Sequence, residues 1–201
     1  MQTSANAHNH VERRTQIPTV VQHRHVHLSR ADQDALFGAG VELTPMRTIG
    51  QRGQIVYEET VTVVGKHGAI EHVRIIGPAR ERTQLEVSAT EAFALGINAP
   101  LRVSGDLGRS APCRLRGPAG EVRLSSGTII PARHLHCDDA TAQHLGVAHQ
   151  QVVTVTIPGR DGWRIEHVTV RVHPTYRLEF HITTDEAAQW WLDSGDAVVL
   201  E

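Results

Sequence analysis

The sequence is short of aromatic residues, of cysteines, and of any excess of charge. Aromatics make up 4% of the 201 residues, so a core must be built mainly from aliphatic side chains. Two cysteines, Cys113 and Cys137, are too few for a disulfide framework, and neither stands in a Cys-x-x-Cys pair. Their scarcity points to a reducing compartment, which makes the cytoplasm the expected location. The formal net charge is −2, which gives no electrostatic case for a nucleic-acid or other polyanionic partner. No apolar run approaches the roughly 20 residues of a membrane span. The opening stretch, MQTSANAHNHVERRTQ, lacks an apolar h-region and reads as a polar tail over residues 1–16, not a secretory signal. No Walker-type loop, no GxGxxG and no serine nucleophile elbow occurs. GQRGQ and GPAGE read as turns.

What is present is a folding composition, 40% hydrophobic and 21% charged, in a length that suits one large domain or two small ones. Short β-branched runs bounded by Gly, Pro or Asp dominate: IPTVVQHRHVHL, QIVYEETVTVVG, EHVRIIG, TQLEVS, EVRLSSGTII, QVVTVTIPG and RIEHVTVRV. Such runs predict a mostly β fold of barrels or sandwiches. Four short helices are expected between them. Ser29 is placed to cap RADQDALFGAG, with Gly38 and Gly40 as stops, and Asp138 or Asp139 to cap ATAQHLGV. Thr90 heads EAFALGI, and Thr184 heads DEAAQWWLDSG.

Histidine is the abundant residue, with 14 copies, and its placement is patterned. RHVHLSRADQDALFG, from Arg24, lines up with RHLHCDDATAQHLGV, from Arg133. IEHVRIIGPARERTQLEVSATEAF, from Ile70, lines up with IEHVTVRVHPTYRLEFHITTDEAA, from Ile165. The offset is 109 residues for the first pair and 95 for the second. The first half therefore carries an insertion between its dihistidine and its IEHV, read as a hairpin over about residues 44–62. The unit is too long for a solenoid period and suits a duplicated small barrel. At the 95-residue offset Glu86 falls opposite His181.

In a strand, residues i and i+2 face the same side, so a His-x-His can aim two imidazoles at one point. His25, His27 and Glu86 form one three-ligand set; His134, His136 and His181 form the other. Three protein ligands with an open position is the arrangement of catalytic zinc, whereas four closed ligands are structural. Imidazole with carboxylate suits zinc best among the candidate metals. A lone His-x-His is more often a satisfied half-buried pair than a metal site. Two copies inside a duplication, each with an equivalent third ligand, reverse that weighing. His23 shares the face of His25 and is a weaker candidate. His72, His144, His149, His167 and His173 read as solvent-facing or unpatterned, and Cys137 as a packing residue. In GPARERTQLEVS, Arg80 follows a turn at Gly77 and Pro78. A planar guanidinium beside paired metals is suited to phosphate, although an exposed loop arginine is an equal alternative on these residues alone.

RHVHLS, ELT, EETVTVVG, VRIIGPARERTQLEVS, LGINAPLRVSGDL, GTIIPARHLH and HITTDEA, in this order, resemble the PduL-type phosphate acyltransferases, the phosphate propanoyltransferases, from about Ile17 through Ala188. The resemblance implies two interleaved β-barrels with short capping helices and an active site between them. One barrel would comprise residues 17–23 with 132–201 and the other residues 24–131. It implies reversible exchange of short-chain acyl-CoA (propanoyl or acetyl) and phosphate for acyl phosphate and CoA, with two zinc ions per chain on the two sets named above. It implies that Arg80 binds phosphate and acts in catalysis, and that Arg74 and the Val21–Gln22–His23 stretch meet CoA. The family usually has Lys where His67 stands, in a turn that touches CoA, and Asn where Ala188 stands. Some members work in bacterial microcompartments, where shell or cargo proteins would be partners; the tail shows no targeting helix. A homodimer is compatible with the resemblance. The rival reading of the same residues is a dinuclear zinc hydrolase such as an acyl-CoA thioesterase, and a second rival is a metal-stabilised barrel that only binds.

Overall fold

The computed structural model describes residues 15–201; the expected tail, with His8 and His10, lies almost wholly outside them. The chain is mostly β, with fourteen strands and four helices among the described residues. Six strands close the first barrel in the spatial order β4 (Ile55–Val64), β5 (Ala69–Gly77), β2 (His25–His27), β6 (Gln84–Glu86), β9 (Glu121–Pro131) and β8 (Ala111–Arg116), which returns to β4. Six close the second in the order β11 (Val152–Thr156), β12 (Arg164–Val172), β10 (His134–Cys137), β13 (Glu179–Thr183), β1 (Ile17–Gln22) and β14 (Ala197–Leu200). Taken in these orders, the two barrels match pair by pair in parallel or antiparallel sense.

That match contains an exchange. β1 directly precedes β2 in the chain but belongs to the second barrel, and β9 directly precedes β10 but belongs to the first. Each chain crossing thus ends in a dihistidine strand. The run IPTVVQHRHVHL, which reads as one strand, is broken at His23 and Arg24 because the chain changes barrels there. The repeated arginine before each dihistidine has a structural job at this crossing. Arg24 pairs with Glu91 at 2.8 Å and Arg133 with Glu186 at 2.9 Å. Both glutamates are the N3 residues of capping boxes.

Each barrel has its own aliphatic core. Val26, Val63, Val73, Ile75, Leu85 and Leu115 fill the first, and Ile17, Leu135, Val155, Ile165, Val170, Phe180 and Val198 the second. Fully burying each such side chain contributes about 1.5–3 kcal/mol. IEHV proves to be a duplicated β-bulge. Val61 and Val63 face Val73 and Ile70, and Val153 and Val155 face Val168 and Ile165. The extra residue in each places His72 and His167 at φ 57°, exposed to solvent as expected.

The helices are α1 (Arg30–Phe37), α2 (Ala89–Leu95), α3 (Asp139–Leu145) and α4 (Thr184–Trp190). Ser29 and Asp138 cap α1 and α3 as expected. The other two expected caps are corrected. Ser88, not Thr90, caps α2, and Thr183, not Thr184, caps α4, because each forms a reciprocal capping box with a glutamate three residues on. The two helix starts meet: Asp185 accepts from Thr90 N at 2.8 Å and from Ser88 Oγ at 3.0 Å. β3 (Pro45–Thr48) pairs antiparallel with β4. The turn between them reaches the second barrel, where Gln51 Nε2 donates to Glu179 and Arg52 N donates to Thr175 O. A two-residue strand, β7 (Leu101–Arg102), lies against β9. No helix among the described residues is long and apolar enough to cross a membrane.

Candidate functional site

The two dihistidine strands, delivered by the two crossings, face a common cleft of about 770 Å³. Its wall includes all six candidate metal ligands, Arg80, and the four candidate CoA contacts Val21, Gln22, His23 and Arg74. His67 and Ala188 do not line it. His67 instead packs over Gly96 at the end of α2.

Strand register builds each ligand set. On the antiparallel β2–β6 ladder His25 lies directly opposite Glu86, and on β10–β13 His134 lies directly opposite His181. Cross-strand neighbours of this kind sit about 5 Å apart at Cβ, and the i+2 histidine of each strand completes the set. In both sets the donor atoms lie within 4.8 Å of one another, and all six residues are buried.

Hydrogen bonds aim these side chains. His25 Nδ1 donates to His23 O and His134 Nδ1 donates to Ala132 O, each at 2.9 Å, and His27 Nδ1 donates to Ile76 O at 2.8 Å. A carbonyl can only accept, so in the neutral rings the proton is on Nδ1 and Nε2 carries the lone pair, which at His27 accepts from Arg80 Nη2. His23 therefore serves through its carbonyl; its exposed side chain is not in the ligand set, which removes it as a metal candidate. His181 is the reverse case: its Nε2 donates to Glu179 Oε2 at 3.0 Å, leaving Nδ1 free.

The arrangement fits a cation at each set. His25 Nε2 stands 3.5 Å from Glu86 Oε2, and an imidazole lone pair facing a carboxylate oxygen is neutralised by a positive charge between them. Glu86 Oε2, both ring nitrogens of His136 and His181 Nδ1 are buried without a hydrogen-bond partner among the described residues. Unpartnered buried polar atoms are costly, and metal ligation satisfies them. Burial, with neighbouring charged groups, also keeps three of the rings, His27, His134 and His136, deprotonated. Burial, then the charges of His25 and Arg80, lower the pKa of His27 well below its ordinary value. Burial, then His181, pushes His134 down to about 3. Burial, then His134, His181 and Arg171, depresses His136 further. Burial alone would raise the Glu86 carboxyl, but His25, a Ser104 bond and Arg80 hold it below the usual range. Metal ligands must be in these deprotonated forms.

Four residues at the site were missed from sequence, three of them on the cleft wall. Glu179 holds His181, and at the 95-residue offset its counterpart Gln84 donates from Nε2 to Glu86 Oε1. Both stand two residues before the third ligand, on the same strand face, so the period of two carried the signal. Arg171 and Tyr176 also line the cleft. Arg80 Nη2 donates to His27 Nε2 at 2.8 Å, which places that arginine at the first ligand set. Cys113 and Cys137 are buried free thiols pushed up to about 11, chiefly by burial, and act as packing residues.

Comparison with known proteins identifies one family. Residues 18–193 match the phosphate propanoyltransferase family. The phosphate propanoyltransferase of Thermotoga maritima is 45% identical over 181 residues, covering 90% of this chain and 86% of that protein. That of Priestia megaterium is 45% identical over 184 residues, covering 92% and 85%. That of Salmonella typhimurium is 44% identical over 176 residues, covering 87% and 83%.

Proposed function

The chain belongs to the phosphate propanoyltransferase family, acyltransferases by name, and from that premise we propose that it interconverts short-chain acyl-CoA plus phosphate with acyl phosphate plus CoA, propanoyl and acetyl being the expected acyl groups. The observation that carries the proposal is the convergence of two metal-competent sets and Arg80 on one cleft. His25, His27 and Glu86 would hold one zinc ion, and His134, His136 and His181 a second. Bound zinc would supply Lewis acidity to the thioester carbonyl oxygen and to the leaving thiolate.

The remaining work falls to the protein's own groups. His27 Nε2 has one lone pair, so Arg80 must release it when that nitrogen ligates, which frees the guanidinium for a phosphate oxygen. Val21, Gln22, His23 and Arg74 would position CoA along the first crossing. Arg74 lies in register with His25 and is steadied by its bond to Glu58 O. Phosphate held by Arg80 then attacks the thioester carbon directly. The C–O bond forms, the C–S bond breaks, and the thiolate leaves as CoA, with no acyl-enzyme. Holding both substrates in one cleft supplies a large part of the rate. These substrates assign the reaction to the bacterial cytoplasm or to a microcompartment lumen within it. Residues 17–23 with 132–201 and residues 24–131 are the two structural units of this reading.

The test is a CoA-release assay with acetyl- and propanoyl-CoA, with and without phosphate, with the acyl product identified. Acyl phosphate formation that requires phosphate and is abolished by a chelator is the expected result. Free acid formed at the same rate without phosphate would instead make the protein a thioesterase. Arg80→Ala should weaken phosphate use while leaving metal content intact.

A further inference from the structure

Arg171 lines the cleft from the second barrel, and no part of this reading has used it. Arg171 lies on β12 directly in register with His136 on the parallel neighbour β10, so the two side chains stand side by side on one sheet face. Its guanidinium Nε is buried with no hydrogen-bond partner, and no ion pair holds the group among the described residues. Its contact is with a ring: the guanidinium carbon is 5.9 Å from the Tyr176 centroid, and Tyr176 stacks on His136 at 3.9 Å. A half-buried cation without a counter-charge is expensive. This one also stands close enough to the Arg80 guanidinium for the two like charges to repel. A structural arginine would be paired. An unpaired one, braced by an aromatic ring on the wall of a substrate cleft, suits an anion that comes and goes.

Its position breaks the duplication. The first-barrel counterpart of Arg171 is Ile76, and the second-barrel counterpart of Arg80 is Thr175, so neither arginine has a twin across the repeat, whereas Arg24, Arg47 and Arg74 line the cleft from other places. We propose that Arg171 is a second phosphate-binding residue, gripping the acceptor phosphate, or the phosphate end of acyl phosphate, from the second barrel while Arg80 grips it from the first. Two guanidinium forks match the several oxygens of a phosphate dianion better than one. Both phosphate and acyl phosphate present those oxygens. The proposal rests on the phosphate-acceptor reading above.

The test uses metal-replete full-length protein with Arg171→Ala and Arg171→Gln. Both the KM for phosphate and, in reverse, the KM for acyl phosphate should rise about 10- to 100-fold, the loss of one charge-assisted contact, while the KM for acyl-CoA stays within about twofold. Metal content and melting temperature should match the parent, and added methylguanidinium should restore part of the phosphate use of Arg171→Ala. If the alanine variant does not fold, Arg171→Gln, which keeps a polar stem against Tyr176, carries the same kinetic readings. An unchanged phosphate KM overturns the proposal. So does a rise confined to acyl-CoA, which would assign Arg171 to the coenzyme's own phosphates, and so does an activity loss matched by metal loss. Parent protein that releases CoA without needing phosphate would show instead, before any variant is made, that the phosphate reading itself is wrong.

Discussion

The two barrels share strand order, strand direction, a crossing that ends in Arg-His-aliphatic-His, and a carbonyl that fixes the first histidine. They differ in how the third ligand is made and held. In the first, a carboxylate, Glu86, is held by a neutral amide, Gln84; in the second, an imidazole, His181, is held by a carboxylate, Glu179. Ligand and holder have changed together, so each set keeps one carboxylate, but only the first places it on the metal side. The duplicated scaffold constrains where ligand atoms stand, because register does that, and leaves their charge free. A metal in the first set would carry a lower net charge and one in the second a higher one, which suits different tasks at the two ends of a thioester.

The largest effect should come from removing either third ligand. Glu86→Ala and His181→Ala should each lower bound metal from two per chain to one and cost on the order of a hundredfold or more in activity, read by metal analysis beside CoA release. The sharper variant is Glu86→His, which makes the two sets alike. It should retain two metals yet lose most of the activity. Full activity in that variant would show that the charge difference between the sets has no task.

Next in size are the holders. Glu179→Ala and Gln84→Ala should each weaken metal binding about 10- to 100-fold at their own set only, with the larger loss at Glu179, because a carboxylate both orients His181 and raises its basicity. Competition with a chromophoric chelator measures both. A loss at the opposite set would mean that the holders act through the cleft rather than through their own strand.

Acid should separate the barrels further. His134 and His136 in the second barrel, and His27 in the first, are held neutral by burial, whereas in the unfolded chain they titrate near pH 6.5. Below about 6.5 the unfolded chain binds more protons, so their contribution is whole above that pH and is lost as pH falls toward the folded values. Glu86, held low, adds stability that is lost only below its ordinary value of about 4.5. In metal-stripped protein, hydrogen exchange should therefore show the second barrel losing protection at a higher pH than the first. Equal loss in both would remove the distinction.

The ligands were legible because a period of two and a repeat offset both act along one strand. Glu86 was found only because IEHV fixed the offset to His181. The fold was legible as short strands and a duplicated barrel, but the interleaving of the barrels was expected only from the family resemblance, since side-chain alternation says nothing about which sheet a strand joins. Arg171 stayed hidden for a related reason. Alternation puts it on a face, but only closure of the second barrel brings that face to the cleft beside Arg80. IEHV was visible as a repeat and opaque as a bulge, because histidine carries no advance sign of a positive φ as glycine does.

The smallest predicted effect isolates the two halves at one backbone position. α2 ends on Gly96 at φ 68°, and at the 95-residue offset α4 ends on Trp191 at φ 50°. Both are left-handed, a conformation that costs a side-chain-bearing residue about 1–2 kcal/mol. Trp191 is 76% exposed, so it recovers little by packing. The backbone carbonyls of Trp190 and Trp191 accept from Arg160, a contact that glycine would keep. Trp191→Gly should therefore stabilise the protein by about 1 kcal/mol in denaturant titration. The reciprocal change, Gly96→Ala, should destabilise by more than that strain, because a Cβ there would stand 2.6 Å from the His67 ring. If Trp191→Gly instead destabilises, the exposed indole is making a contact in the intact protein that its twin position lacks, and the halves differ at their helix ends as well as at their ligands.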